Sequence, residues 1–386
     1  MSLTCQKHLF NLEDDICYLN GAYMSPLLKK VEGAGIEGIL KKRNPGAFTT
    51  EDFFLPQLEL KARFAKLIGA EEPGRIAIVP SVSYGLANVT KNLRVSKGQK
   101  IVLAGDQFPS NYYPWRKLAD RKQLELSIIT PSNSERDRGR VWNELLIQAI
   151  DENTAVLSIS HVHWADGSLF DLVELRKRLD KIGGLLIVDG TQSLGALPFD
   201  QSLIRADAII CAGYKWLMGP YSIGLAYMGS YFDHGQPIEE SWINRVKSDD
   251  FANLIDYQHE YRAYAKRYDI GESSNFILTP MMSEGIQQLI EWRPERYQQY
   301  CEDITSSATE RLKDNGFWID DINYRSSHLF GIRFSHAVDM NHVKTILDAA
   351  KIKVSIRGDA IRVSPGVYNT SDDLNKLTHV LTSEFT

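Results

Sequence analysis

Cysteine is scarce in this sequence. The four present, Cys5, Cys17, Cys211 and Cys301, form no CxxC pair and stand beside no histidine cluster. That spacing argues against a disulfide scaffold and a structural zinc site, and Cys211, inside an apolar run, reads as a small buried hydrophobe. No apolar run approaches the ~18–20 residues of a membrane-spanning helix. The first ten residues carry Lys7 and His8 but no apolar stretch of a secretory signal. A basic excess is missing as well: 44 Lys and Arg against 49 Asp and Glu give a net charge of −5, the wrong sign for a general nucleic-acid binder. Neither GxSxG nor GxxxxGK[ST] occurs, so the serine-hydrolase elbow and the P-loop lose their main support. The expectation is a soluble, cytoplasmic protein whose partner is a small molecule, with no nucleic acid and no membrane.

What is present is an alternation of short apolar runs and amphipathic stretches. The runs at 75–79, 100–104, 125–130, 154–160, 184–188, 208–212 and 224–228 read as strands. Between most of them, 82–93, 113–122, 144–150 and 172–182 carry helical periodicity. Val-, Ile- and Leu-rich strands alternating with helices predict an α/β fold with a largely parallel sheet covered on both faces. Ligands of such sheets bind outside the carboxyl ends of the strands. After about residue 230 the pattern changes. The stretch 231–266 is polar, aromatic and irregular, and a long helical pattern then starts near Thr279 and continues through 297–312. Short strands at 330–334, 354–356 and 360–363, with helices at 338–350 and 371–382, predict a smaller α+β domain. The expected organisation is an N-terminal segment 1–20 packing near the small domain, a large domain 21–265, and a small C-terminal domain 266–386 with its linking helix.

Two apparent motifs carry little. Residues 33–38 match GxGxxG, but no strand precedes them to turn the chain onto a helix N-terminus, and the stretch reads as one weak helix. His161 and His163 share a strand face with Asp166 nearby, but no third convergent ligand is evident, so no metal is expected.

The chemistry concentrates at two strand ends. Asp189 closes the apolar run Leu185-Leu-Ile-Val-Asp, and twenty-six residues later Lys215 follows the run ending at Ala212. Both side chains should open onto the same crevice. An ion pair is one reading of the two. Tyr214, Trp216, Leu217 and Met218 surround the lysine, however, and desolvation favours the neutral amine that attacks an aldehyde.

The run VDGTQSLGALPFD followed by GYKWLMGP resembles the pyridoxal-phosphate segment of the class V aminotransferase family, which also holds cysteine desulfurases, kynureninases and epimerase-like members. The resemblance extends from YLNGAYMSPL at Tyr18 to IRVSPGVYNT at Ile361. It implies a fold type I homodimer with shared active sites and pyridoxal 5'-phosphate as cofactor. Lys215 then forms the Schiff base and moves the Cα proton, and Asp189 keeps the pyridine nitrogen protonated. Gln192 matches the residue that bonds the ring's phenolic oxygen, and Phe108 in GDQFPSNYYPW takes the ring-stacking position. Residues 80–85 run from a strand into a helix, where the free amides around Val82 and Ser83 suit a phosphate. Ser83 adds a hydroxyl there, unless it is only an N-cap, and Tyr214 adds a phenol. Arg362 matches the arginine that grips the substrate carboxylate, with Arg357 its nearby competitor, and Asn20 lines the substrate end. The segment 271–275 resembles the loop that reaches the partner's phosphate, so Ser273 or Ser274 is expected to act in trans.

Departures from the family pattern are equally informative. The cofactor-lysine segment often reads Ser-Gly-His-Lys in the family and is Ala212-Gly213-Tyr214-Lys215 here. The asparagine that usually faces the ring oxygen is matched to His161. Residues 351–362 hold no cysteine where desulfurases carry their sulfur acceptor. The expected activity is transamination of an α-amino acid. A carbon–carbon or carbon–sulfur lyase, kynureninase-like or cysteine-lyase-like, is the alternative. A non-catalytic protein on the same fold would be expected to have lost Lys215, Asp189 or Arg362, and all three are present.

Overall fold

The computed structural model describes residues 2–132 and 135–385. Its first strand, β1 (Cys17–Tyr18), precedes seven strands of a main sheet: β2 (Ile76–Val79), β3 (Lys100–Ala104), β4 (Glu125–Ile129), β5 (Thr154–Ser160), β6 (Leu185–Asp189), β7 (Ala208–Ala212) and β8 (Gly224–Met228). Four short strands follow: β9 (Phe330–Arg333), β10 (Ile352–Lys353), β11 (Ser355–Arg357) and β12 (Ala360–Val363). The main sheet runs β2-β8-β7-β6-β5-β3-β4 and is parallel except for β8, which is antiparallel to both neighbours. This is the largely parallel α/β sheet expected from the alternating pattern, and it has the fold type I arrangement that the resemblance implied.

Helices cover both faces because both faces are apolar. Along β3, Ile101 and Leu103 join one core, while Val102 and Ala104 join the other. The two-residue strand period produces this division. It continues in β5 and β6, where Val156 and Ile187 face one side and Leu157, Ile159 and Val188 the other. The register sets Ser160 opposite Asp189 and Asp189 opposite Ile210, so β5, β6 and β7 end side by side.

Residues 231–266 form only short 3-10 turns between irregular segments. The long helical pattern beyond them is two helices, Leu278–Trp292 and Pro294–Asp314. Pro294 cannot donate a backbone hydrogen bond, and Arg293 takes a left-handed φ of 66°, which breaks the run. The first of these helices packs on Lys29–Lys41 and Leu55–Ile68 of the N-terminal half. The second carries Ala308 and Leu312 into a separate apolar core with Ile332, Ile361 and Leu377. β1 pairs in parallel with β10, and Cys17 and Leu19 enter that same core. The GxGxxG letters lie inside the helix Lys29–Lys41, where Gly35 and Gly38 let Met281 and the Phe276 carbonyl come close. Among the described residues no helix is long and apolar enough to cross a membrane, and no group of three or more His, Cys, Asp or Glu could hold a metal.

Candidate active site

A cavity of about 300 Å³ opens at the carboxyl ends of β2, β5, β6 and β7. Its walls include Val82, Ser83, Phe108, Asp189, Gln192, Tyr214 and Lys215. Seven residues scattered over 134 positions of sequence therefore share one pocket.

The helix Val82–Asn92 starts at this cavity. Ser81, not Ser83, is its N-cap: the Tyr84 amide donates to Ser81 Oγ at 3.2 Å. That leaves Ser83 and the first-turn amides facing an anion-binding end of the helix dipole.

Lys215 sits in the turn after β7. Gly213 is required there, since a Cβ would come within 2.5 Å of the Ile223 carbonyl. The amine is buried, 5.5 Å from the Phe108 ring centroid and 5.6 Å from that of Tyr214. Burial lowers its pKa to about 8, the Arg362 charge adds to this, and Asp189 opposes it. About a tenth of the amine is therefore neutral at pH 7, far more than for an exposed lysine.

Asp189 is buried at the end of β6, and its pKa is raised, chiefly by that burial. The Thr191 amide donates to its Oδ1 at 3.0 Å, and Thr191 Oγ1 accepts from the Ala212 amide at 3.2 Å. Thr191 thus ties the loop after β6 to the end of β7. Asp189 has no ion pair among the described residues, and a cationic ring nitrogen would provide one. Two further polar atoms of the cavity wall, Ser160 Oγ and Gln107 Nε2, are buried without partners. A buried carboxylate, idle donors and a free helix N-terminus fit a phosphorylated pyridine.

Gln192 is held on both sides. Its Nε2 donates to the Ala22 carbonyl at 3.1 Å, and its Oε1 accepts from Trp216 Nε1 at 2.8 Å. Behind it, His328 Nε2 lies 2.7 Å from the Gln192 carbonyl.

His161 is not in the cavity. Strand parity puts Ser160 on the cleft side and His161 on the opposite side, where its ring meets Phe199 at 5.6 Å. Burial drives its pKa down to about 3, with the His328 charge adding to this. The cleft position three residues later belongs to Trp164, which stands edge-on to Phe108 at 5.5 Å. An aromatic residue in the turn directly after a strand was the available signal. Of the suspected metal pair, His163 faces Asp166 at 3.1 Å, inside an ion cluster with Arg138 and Arg333.

Arg362 and Asn20 do not line the cavity itself. They meet just beyond it through Ser355, a residue the sequence did not single out. Arg362 Nη2 donates to Ser355 Oγ at 3.3 Å, and Ser355 Oγ donates to Asn20 Oδ1 at 2.9 Å. Arg362 Nη1 donates to the Trp164 carbonyl at 2.9 Å, which fixes the guanidinium at the cleft's edge. Burial and the neighbouring Arg357 lower the Arg362 pKa to about 9. Ser273 and Ser274 lie away from the cavity, and the Ser273 hydroxyl donates to Gln57 Oε1 at 3.0 Å within its own chain.

Comparison with known proteins fits this geometry. The chain is 26% identical over 313 residues to an uncharacterized aminotransferase of Bacillus subtilis (strain 168), covering 81% of this chain and 79% of that one. It is 28% identical over 197 residues to the isopenicillin N epimerase of Streptomyces clavuligerus, about half of each chain. In structure, the apo cysteine desulfurase of Thermococcus onnurineus NA1 superposes with a TM-score of 0.84 at 20% identity, over 99% of this chain and 98% of the other. The cystine C-S lyase C-DES, bound to cysteine persulfide, superposes with a TM-score of 0.84 at 18% identity, over 96% and 98%. The model of the family described as aminotransferase class-V matches residues 56–377, and by that match over most of its length the chain belongs to the aminotransferase class-V family.

Proposed function

We propose that this pyridoxal-phosphate-dependent enzyme is an aminotransferase that exchanges the amino group of an α-amino acid with a keto acid. The observation that carries the reading is the convergence of a buried, depressed-pKa Lys215 and a buried Asp189 in one cavity, with Arg362 at its edge.

The cofactor, when bound, supplies an aldehyde for an amine and a ring that withdraws electrons from Cα. Lys215 Nζ would carry it and, once displaced, take the proton from the substrate Cα. Its lowered pKa makes the amine a competent base near neutral pH. Asp189 would accept the ring N–H as a hydrogen bond and hold that proton in place. Phe108 would cover one ring face, and Gln192 would donate to the phenolic oxygen. Ser83 and the helix N-terminus would take the phosphate, with the Tyr214 phenol beside them. Arg362, with its buried Nε unpartnered and its Ser355 anchor, would take the substrate carboxylate.

A lyase is the second reading, supported by Phe108 and by the likeness to C-DES. Persulfide-forming desulfuration has no support from the cysteines. Cys211 and Cys301 are fully buried, and burial pushes both thiols up. The same proposal includes a cytoplasmic homodimer with sites shared through residues 271–275. Tyr221 supports it, since this cleft-lining residue is 62% exposed in the single chain. Because the Ser273 hydroxyl is engaged within its own chain, Ser274 and the backbone are the groups left to act in trans. The large domain then comprises residues 21–265 and the small one 266–386, with the helix Leu278–Trp292 lying on the large domain.

The test is a half-reaction. Holoenzyme given an amino acid and no acceptor should release the keto acid once per cofactor, and a keto acid should reverse the change. Continuous product release without an acceptor would favour the lyase.

A further inference from the structure

The substrate end of the cleft holds more positive charge than one carboxylate uses. β11 and β12 pair antiparallel, with Ser355 opposite Arg362 and Arg357 opposite Ala360. Residues two apart on a strand share a face, so Ser355, Arg357 and Arg362 stand on one face and the two arginines are diagonal neighbours. Both are anchored on Trp164, a wall of the cavity. Arg362 bonds its carbonyl, and the Arg357 guanidinium lies 5.3 Å from its ring centroid.

Neither arginine has an acidic partner among the described residues. Three of the acids behind Trp164 are engaged with other arginines: Asp166 with Arg138 and Arg333 at 3.1 Å each, Asp359 with Arg333 at 3.1 Å, and Asp106 with Arg138 at 3.6 Å; the fourth, Glu135, accepts the Asp137 amide at 3.0 Å and pairs with neither Arg357 nor Arg362. Among the described residues Arg357 donates only to the Ile356 carbonyl, at 2.8 Å. The Nε atoms of Arg357 and Arg362 are both buried without a partner. Buried guanidinium donors without a counter-ion are costly, and a planar carboxylate matches their geometry. The Lys215 amine lies within the field of both charges. Among the described residues Asp189 is the only acidic residue in the cavity wall, and it is the one that would meet the ring nitrogen of the cofactor.

We propose that the preferred substrate is an α-amino acid with a second carboxylate on its side chain, Arg362 holding the α-carboxylate and Arg357 the distal one. The matching dicarboxylic keto acid is the other substrate. This rests on the reading of the cleft as an amino-acid site. A neutral side chain would leave Arg357 unpaired, and a cationic one would be repelled by it.

The test uses the holoenzyme. Aspartate, glutamate, alanine, leucine and lysine are titrated separately while the cofactor absorbance is followed. Succinate and glutarate, which have no amino group to react, are titrated as binding probes. An acidic amino acid should be preferred over neutral ones by about ten- to a hundredfold in kcat/KM, the range of one charged hydrogen-bonding contact. Succinate or glutarate should compete with it. Arg357→Gln should erase that preference and weaken dicarboxylate binding, and Arg357→Lys should restore part of it, with cofactor content as the check on folding. Equal use of neutral and acidic amino acids by the parent enzyme overturns the proposal while leaving the amino-acid site standing. A cofactor that responds to no amino acid overturns both.

Discussion

The Trp216 indole donates to the side-chain oxygen of Gln192 at 2.8 Å and so ties the loop that follows Asp189 to the turn carrying Lys215. The bond is buried, and it leaves the Gln192 amide aimed by two fixed partners, Trp216 and the Ala22 carbonyl. Trp216→Phe keeps much of the ring packing and removes the donor. One neutral hydrogen bond contributes about 1 kcal/mol, so cofactor affinity should fall by about fivefold with the lysine linkage retained. Cofactor retention on dialysis reads this directly, and unchanged retention would mean that Gln192 is positioned by other contacts.

Asp189→Asn should load cofactor but turn over slowly. The amide cannot hold the ring proton as a carboxylate does, and losing that electron sink should raise the barrier by about 3 kcal/mol, near a hundredfold in kcat. The absorbance of the bound cofactor should shift with it. A variant with the parental rate would reduce Asp189 to a structural role.

The Lys215 amine is shifted down from 10.5 to about 8, mainly by burial. A lowered lysine pKa means that the neutral form gains below the usual range. Reloading of apoenzyme with cofactor should therefore speed up about fifty-fold from pH 6 to 8 and then level off. A rate that keeps climbing toward pH 10 would show an amine in contact with water.

Sulfur chemistry should be weak. Residues 351–362 hold no cysteine, burial pushes up the thiols of Cys17, Cys211 and Cys301, and Cys5 is not among the residues of the cavity wall, so no thiolate is placed there to accept sulfur. Cysteine should give slow sulfide with pyruvate and no protein persulfide. Rapid alanine formation with a persulfide trapped on any of the four cysteines would move desulfuration to first place.

Most strands were legible because the buried parallel sheet writes them as continuous apolar runs. The runs at 100–104 and 154–160 are β3 and β5 to the residue, both buried and parallel to their neighbours. The helix read at 144–150 begins earlier, at Arg138, because its first turn is polar and anchored instead by Arg138 on Asp166 and by the Gly139 amide on Asp320. Within the site, Lys215 and Asp189 could be placed from the ends of apolar runs, whereas Gln192 and Phe108 were reached through the family resemblance. His161 could not be placed, because a single step along a strand reverses the face. Ser355 joins Arg362 to Asn20 only through the register of β11 and β12 and across 335 residues of chain, which no local pattern encodes.

The central claim is that Lys215 carries the cofactor. Borohydride reduction of the yellow holoenzyme followed by peptide mass mapping tests it most directly. The reduced cofactor should appear on the peptide containing Lys215 and on no other. Lys215→Ala should fold, lose turnover and take no covalent label. Label on a different lysine, or full activity in Lys215→Ala, would contradict the account.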